Sequence, residues 1–232
     1  MVEGDGAGDN AWRSDPVTFL PNRVYRLSFN VRTAKAAGGT VVSGPTFANV
    51  DLGVPGRAWV YHESIFATPV RKDELTVPVR FGQWQMKGQA SFDEVRLVPV
   101  EPVYAAFGEG VLGEGEKVEG NRYSFDAPFG GESRNHSRPL LWHTAAFNTE
   151  RWCFGEQSMV TYRHALAGRK LLSGTVELNC GYFDSGKVMV DVSLDAKEWQ
   201  HAGVLTNTGC VKLELPAALF PAEVIHVRLR GG

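Results

Sequence analysis

From Tyr25 to Arg32 the chain reads Y-R-L-S-F-N-V-R, so that Tyr25, Leu27, Phe29 and Val31 alternate with Arg26, Ser28, Asn30 and Arg32. A period of two is that of a strand with one buried and one wet face, and it excludes an amphipathic helix. Phe92 to Leu97 (F-D-E-V-R-L) carries a second strand signature that closes the same N-terminal unit. Between and around them, short apolar runs predict strands over 17–20, 23–32, 40–43, 57–66, 75–82 and 91–98. Turn chemistry at Pro21-Asn22, Gly38-Gly39, Gly44-Pro45, Pro55-Gly56 and Gly88 separates them.

After Val98 the stretch P-V-E-P-V (99–103) favours extended backbone and blocks a continued ladder, which predicts a domain boundary there. Further strands are expected over 103–107, 121–126, 158–165, 170–180, 187–194, 198–204, 210–215 and 223–229. In Lys187 to Leu194, Val188, Val190, Val192 and Leu194 alternate with Lys187, Met189, Asp191 and Ser193. The chain then turns through Asp195-Ala196-Lys197 into Trp199, and Ala217 to Phe220 before Pro221 reads as a single helical turn. Residues 1–11, rich in Gly and Asp, are expected to form a mobile lead-in. The expected fold is therefore all-β: two antiparallel β-sandwich (jelly-roll) domains in tandem, over 12–100 and 101–232.

Composition sharpens this. With 232 residues the chain can bury a sizeable core, and its 26 Gly and 12 Pro lie between short apolar runs, as turns require. The net charge of −2 comes from interspersed charges without a single-sign block, which argues against nucleic acid and against anionic membrane surfaces as partners. No apolar run approaches the roughly 20 residues that span a bilayer, and the opening M-V-E-G-D-G-A-G-D-N lacks the basic and apolar regions of a signal peptide. Cys153, Cys180 and Cys210 permit at most one internal disulfide and read as small buried hydrophobes.

The two N-terminal strand signatures, with Trp12, the lead-in V-T-F-L-P-N at 17–22 and Gly88, resemble the galactose-binding-like superfamily of jelly-roll sandwiches. Many of its members are non-catalytic carbohydrate-binding modules of glycan-degrading enzymes. The resemblance covers about residues 12–100. It implies a polysaccharide or surface glycan as ligand, an extracellular or cell-surface location, and a structural calcium at the position of Asp93. The run S-L-D-A-K-E-W (193–199) looks like a hairpin of many extracellular sandwich modules. Two departures matter: the family's opening strand and the acidic calcium partners it carries are not recognisable here. A unit short of one or two strands is expected either to be a fragment of a longer chain or to have its open edge covered by the second domain or by another copy, because an unpaired edge is a liability.

Sugar recognition needs flat apolar faces and planar polar groups. Phe81 to Lys87 supplies both, with Gln83, Gln85 and Lys87 expected on one strand face and Trp84 and Met86 on the other; Trp84 then stacks on a ligand or packs in the core. Trp59 and Tyr61 share a face with Glu63 beyond them, again either packed in the sandwich or offered to a sugar. Asn30 and Arg32 fall on the wet face of the first strand. The loop from Gly130 to Trp142 concentrates Glu132, Arg134, Asn135, His136 and Arg138; its arginines could clamp a carboxylate or sulfate, or pair with neighbouring acids.

Catalysis finds less support. Glu132, Glu150 and Glu156 have no spacing that projects a carboxylate pair into one cleft. A lyase could be drawn from His136, Arg134, Asn135 and Tyr162 or Tyr182, and no His-x-His or His-x-x-x-His spacing points to a metal. Three functions stay open: a glycan-binding accessory region, a structural or adhesive spacer, and a polysaccharide lyase or hydrolase.

Overall fold

The computed structural model describes the backbone of all 232 residues and every side chain but that of Lys72. The chain is all-β, with two short 3-10 turns at Lys72–Glu74 and Ala217–Leu219. The first ten strands are β1 (Val2–Asp5), β2 (Asp9–Arg13), β3 (Val17–Thr18), β4 (Val24–Ala37), β5 (Thr40–Pro45), β6 (Ala48–Asp51), β7 (Val60–Ala67), β8 (Thr76–Val77), β9 (Val79–Trp84) and β10 (Lys87–Val100). Short strands follow: β11 (Ala105–Phe107), β12 (Gly110–Leu112), β13 (Glu116–Glu119), β14 (Arg122–Phe125), β15 (Leu140–His143), β16 (Ala146–Asn148) and β17 (Arg151–Cys153). The last six are β18 (Met159–Ala165), β19 (Thr175–Cys180), β20 (Val188–Ser193), β21 (Gln200–Leu205), β22 (Gly209–Glu214) and β23 (Val224–Gly231).

Contacts divide the chain into two compact units. The first comprises Met1–Pro102, Ala127–His136 and Ala146–Cys153; the second comprises Val103–Asp126, Ser137–Ala145 and Phe154–Gly232. The sequence places a single boundary at 99–103, whereas two later segments return to the first unit. Nothing in their composition marks them, because β16 and β17 are three residues each and too short to show a period.

In the first unit a four-stranded antiparallel sheet, β1-β10-β4-β7, shares one core with a six-stranded sheet, β17-β16-β6-β5-β9-β2. All pairings in both sheets are antiparallel except β16 on β6, which is parallel. Leu27, Phe29 and Val31 of β4 meet Val41, Ala48, Val79 and Phe81 of the second sheet in that core. Phe29 and Phe81 pack edge to face at 5.3 Å, and Phe19, Phe47 and Phe66 form a second aromatic knot. Each fully buried Phe of this kind contributes about 1.5–3 kcal/mol relative to exposure.

The N-terminal residues are not a loose lead-in. β1 pairs with β10 and β2 pairs with β9, so both belong to the sheets of the first unit. Gly4 explains why a Gly-rich segment is ordered here: a Cβ at this position would stand 1.9 Å from Gln83 Nε2 and 2.3 Å from the Met86 carbonyl oxygen. The strand edge at β7 is also occupied, by the same chain. Ile65 N–H donates to the Glu132 carbonyl at 2.7 Å, Ala67 N–H to Asn135 Oδ1 at 2.8 Å, and Asn135 Nδ2 to the Ala67 carbonyl at 3.1 Å. The polar Gly130–Trp142 loop thus spends its buried asparagine on a sheet edge.

The second unit holds a five-stranded antiparallel sheet, β15-β18-β23-β20-β21, with two-stranded ladders β11-β12, β13-β14 and β19-β22. Val160, Val190, Val192, Ile225, Val227 and Leu229 are buried, yet so is Asp191, which the alternation of β20 places on the wet face. Arg228 Nη2 donates to Asp191 Oδ2 at 2.8 Å and lies over the Trp199 ring at 4.1 Å. The turn after β20 closes as its sequence suggests: Lys197 and Glu198 N–H groups donate to Asp195 Oδ1 and hold that carboxyl down at a pKa of about 2. All three cysteines are free, but they are less buried than expected, Cys153 and Cys180 half-buried and Cys210 exposed. No helix among the described residues is long and apolar enough to cross a membrane.

Gly4→Ala is expected to destabilise the protein by about 1–3 kcal/mol, the usual cost of overpacking, read as a lowered urea midpoint with an unchanged slope. Wild-type stability in this variant would mean that β1 is not seated on β10.

Candidate ligand-binding face

The outer side of the four-stranded sheet follows from the pleat. Because Leu27, Phe29, Val31 and Thr33 of β4 are buried, Arg26, Ser28, Asn30 and Arg32 point the other way. Register carries this sidedness across the sheet: β7 sets Tyr61 beside Asn30 and Glu63 beside Ser28, while β10 sets Asp93 beside Asn30 and Arg96 beside Ser28. Trp59, just ahead of β7, continues the row begun by Tyr61. The inward parity of β7 is the opposite one, with His62 beside Phe29 and Phe66 beside Tyr25.

Trp59 and Tyr61 are 42% and 61% exposed, so neither packs inside the sandwich. The Arg32 guanidinium lies 4.5 Å from the Trp59 ring centroid, near enough to orient the indole through its π face. Tyr61 donates its hydroxyl proton to Glu63 Oε2 at 2.6 Å, and Arg26 Nε stands 3.9 Å from the same oxygen. Asn30 Nδ2 donates to Glu94 Oε2 at 2.9 Å. One side of one sheet thus carries two exposed rings among guanidinium, amide and carboxylate groups. Such a surface can stack on the C–H face of a pyranose and bond its hydroxyls.

The remaining candidates lie elsewhere. Gln83, Trp84 and Gln85 belong to the six-stranded sheet or its turn. There the expected alternation fails: Gln83 and Met86 are buried, whereas Trp84 (48% exposed), Gln85 and Lys87 face solvent. Gln85 has φ of 50°, and this left-handed residue ends the pleat of β9, so parity is not carried into β10. Asp93 sits at the β10 bulge, where its Oδ1 accepts the N–H of Glu94 at 2.8 Å. No group of three or more His, Cys, Asp or Glu side chains arranged for a metal ion occurs among the described residues. Two carboxylates and an amide at this bulge fall well short of the six to eight oxygens that calcium takes, so the residues present do not fit the ion.

The loop arginines part company. Arg138 belongs to the second unit and is no free clamp, because its guanidinium forks onto both oxygens of Glu116. Gly113 N–H donates to Glu116 Oε2, and the Tyr123 hydroxyl donates to Oε1 at 2.7 Å and stands 3.1 Å from His164 Nδ1. Burial alone would raise the Glu116 pKa; these bonds outweigh it and hold the carboxyl below its ordinary value. Burial and the adjacent carboxylate push the Tyr123 phenol well above its usual range, so it serves as a hydrogen-bond donor and not as a base at neutral pH. Arg134 and His136 belong to the first unit, where both are partly buried. Of the tyrosines drawn for a lyase, Tyr162 is buried and Tyr182 is exposed.

Sequence reasoning missed Arg26, Glu94 and His62. Glu94 reaches the face only through the bulge, where it too is left-handed, and no local signal announces this. His62 was detectable as the one titratable member of an inward row that runs Val60, His62, Ser64, Phe66. No protein-family model matches the chain, and no curated protein sequence matches it.

Stability is expected to fall on mild acidification. Burial lowers the pKa of both His62 and His164 from 6.5 to about 4, with Arg134 adding to the effect at His62. Between those values the unfolded chain binds more protons than the folded one, so this stability is complete above pH 6.5 and is lost as pH falls toward 4. Urea unfolding followed by tryptophan fluorescence should show the midpoint dropping over that window, and His164→Asn should flatten the drop.

Proposed function

We propose that the chain is a non-catalytic carbohydrate-binding or accessory region of a larger exported protein, and that it engages a polysaccharide or surface glycan through the outer face of the four-stranded sheet. In this reading both units are jelly-roll sandwiches, the first galactose-binding-like. The observation that carries it is the exposure of Trp59 and Tyr61 beside Arg32 and Asn30 on adjacent strands. A structural spacer would have its aromatic residues buried, and these are not. Recognition on a rigid sheet needs little rearrangement, since the inner side of every strand involved is locked in the core. Glycan contacts come from the rings by stacking and from Arg32, Asn30 and Glu63 by hydrogen bonds to hydroxyls.

Native gels cast with neutral and acidic polysaccharides test this directly. Wild-type protein should be retarded by at least one glycan. Trp59→Ala and Tyr61→Ala should each weaken that binding about tenfold, as loss of an aromatic hot spot does, with unchanged thermal midpoints. No retardation of folded protein by any glycan, or retardation of both variants equal to that of the wild type, would overturn the proposal in favour of a spacer.

A further inference from the structure

The first unit contains a cavity of about 340 Å³ that lies apart from the aromatic face. It is lined by Val31, Val60 and His62 from the inner side of the four-stranded sheet, by residues of the segment 51–55, and by Arg134. Its size is at the small end for organic ligands, enough for one ring-sized molecule.

The polar groups in this cavity are under-used by the protein. Arg134 Nε and His62 Nε2 are both buried and have no hydrogen-bond partner. The Arg134 guanidinium makes one long bond, from Nη1 to the Thr149 carbonyl at 3.4 Å, and forms no salt bridge among the described residues. Burial lowers its pKa, opposed by the charge of Glu132. Burial and the Arg134 charge keep His62 neutral at physiological pH. A buried N–H with no acceptor is costly to leave, and a guanidinium is the group best matched to a planar carboxylate. Asp51, also in the lining, has Oδ1 bonded to Asn49 Nδ2 at 2.9 Å and a second oxygen that can accept a ligand hydroxyl. Val31, Val54 and Val60 supply apolar wall.

We propose that this cavity is a binding site for a small hydroxylated carboxylate of single-ring size, of which a uronic acid is the sugar form. The carboxylate is held by Arg134 and His62, a hydroxyl donates to Asp51, and the ring lies against the valines. The site is independent of the glycan face, because it uses none of Trp59, Tyr61, Asn30 or Arg32.

The test is titration calorimetry of the whole chain with glucuronate and galacturonate, against glucose, acetate and sulfate. Saturable binding of a uronate is expected, with glucose silent and acetate at least about tenfold weaker for want of the hydroxyl bond. Arg134→Gln should abolish binding, while Trp59→Ala should leave it unchanged. Val54 is 46% exposed on the rim, so Val54→Trp blocks the opening without disturbing the core and should also abolish binding. Failure of both uronates to bind, binding that survives Arg134→Gln or Val54→Trp, or a response to sulfate alone would each overturn the proposal. Loss of uronate binding in Trp59→Ala would overturn the independence of the two sites. A glycan that still retards the protein in gels when no uronate binds would separate failure here from failure of the sheet-face reading.

Discussion

The pleat of β4 is the constraint on which the first unit depends. Leu27, Phe29 and Val31 are held in a core whose rings meet edge to face, and a slip of one residue would carry all three into water and bring Arg26, Asn30 and Arg32 inside. Each of those arginines would then be a buried charge, at a cost that no rearrangement of this core could offset. The outward display of polar groups is therefore a by-product of inward packing. It is rigid for the same reason: the strands that carry it cannot shift without breaking the core.

The second unit is organised differently. Its buried positions include ion pairs, Glu116 with Arg138 and Asp191 with Arg228, each tied into further bonds. Pairs of this kind add little net stability against well-packed apolar residues, but removing one partner costs about 3–5 kcal/mol. Their effect is to permit only those arrangements in which both partners meet. Tyr123 shows the economy of the network. Its hydroxyl donates to Glu116, which leaves its oxygen to accept from the Nδ1–H of His164, and both groups are satisfied without water.

Much of this was legible in the residues. The alternation over Tyr25–Arg32 is strong enough to place a strand and to sort its side chains, and the two-residue spacing of Trp59 and Tyr61 sets them on one side of theirs. Which side could not be read, because that depends on Phe29 facing His62 across a register that only the folded sheet defines. Gln83 and Trp84 fall on opposite faces as the alternation requires, but Gln83 does not share its face with Gln85 and Lys87, nor Trp84 with Met86, because a left-handed residue, Gln85, resets the count, and a glutamine gives no warning of it. The N-terminal glycines suggested mobility when Gly4 is in fact chosen for close approach. Strands of three or four residues, such as β6, β12 and β16, fell below the length at which a period exists.

The first unit is assembled from three separated stretches of chain, and β16 reaches back to lie on β6 across almost a hundred positions. During synthesis, then, the first hundred residues leave the ribosome with β6 and β7 still lacking their outer neighbours. Closure waits until Cys153 has emerged, by which time four hairpin strands of the second unit are already out. The nascent chain must hold two unfinished edges through that interval, and any helper or partner that acts on this protein during translation has its opportunity there.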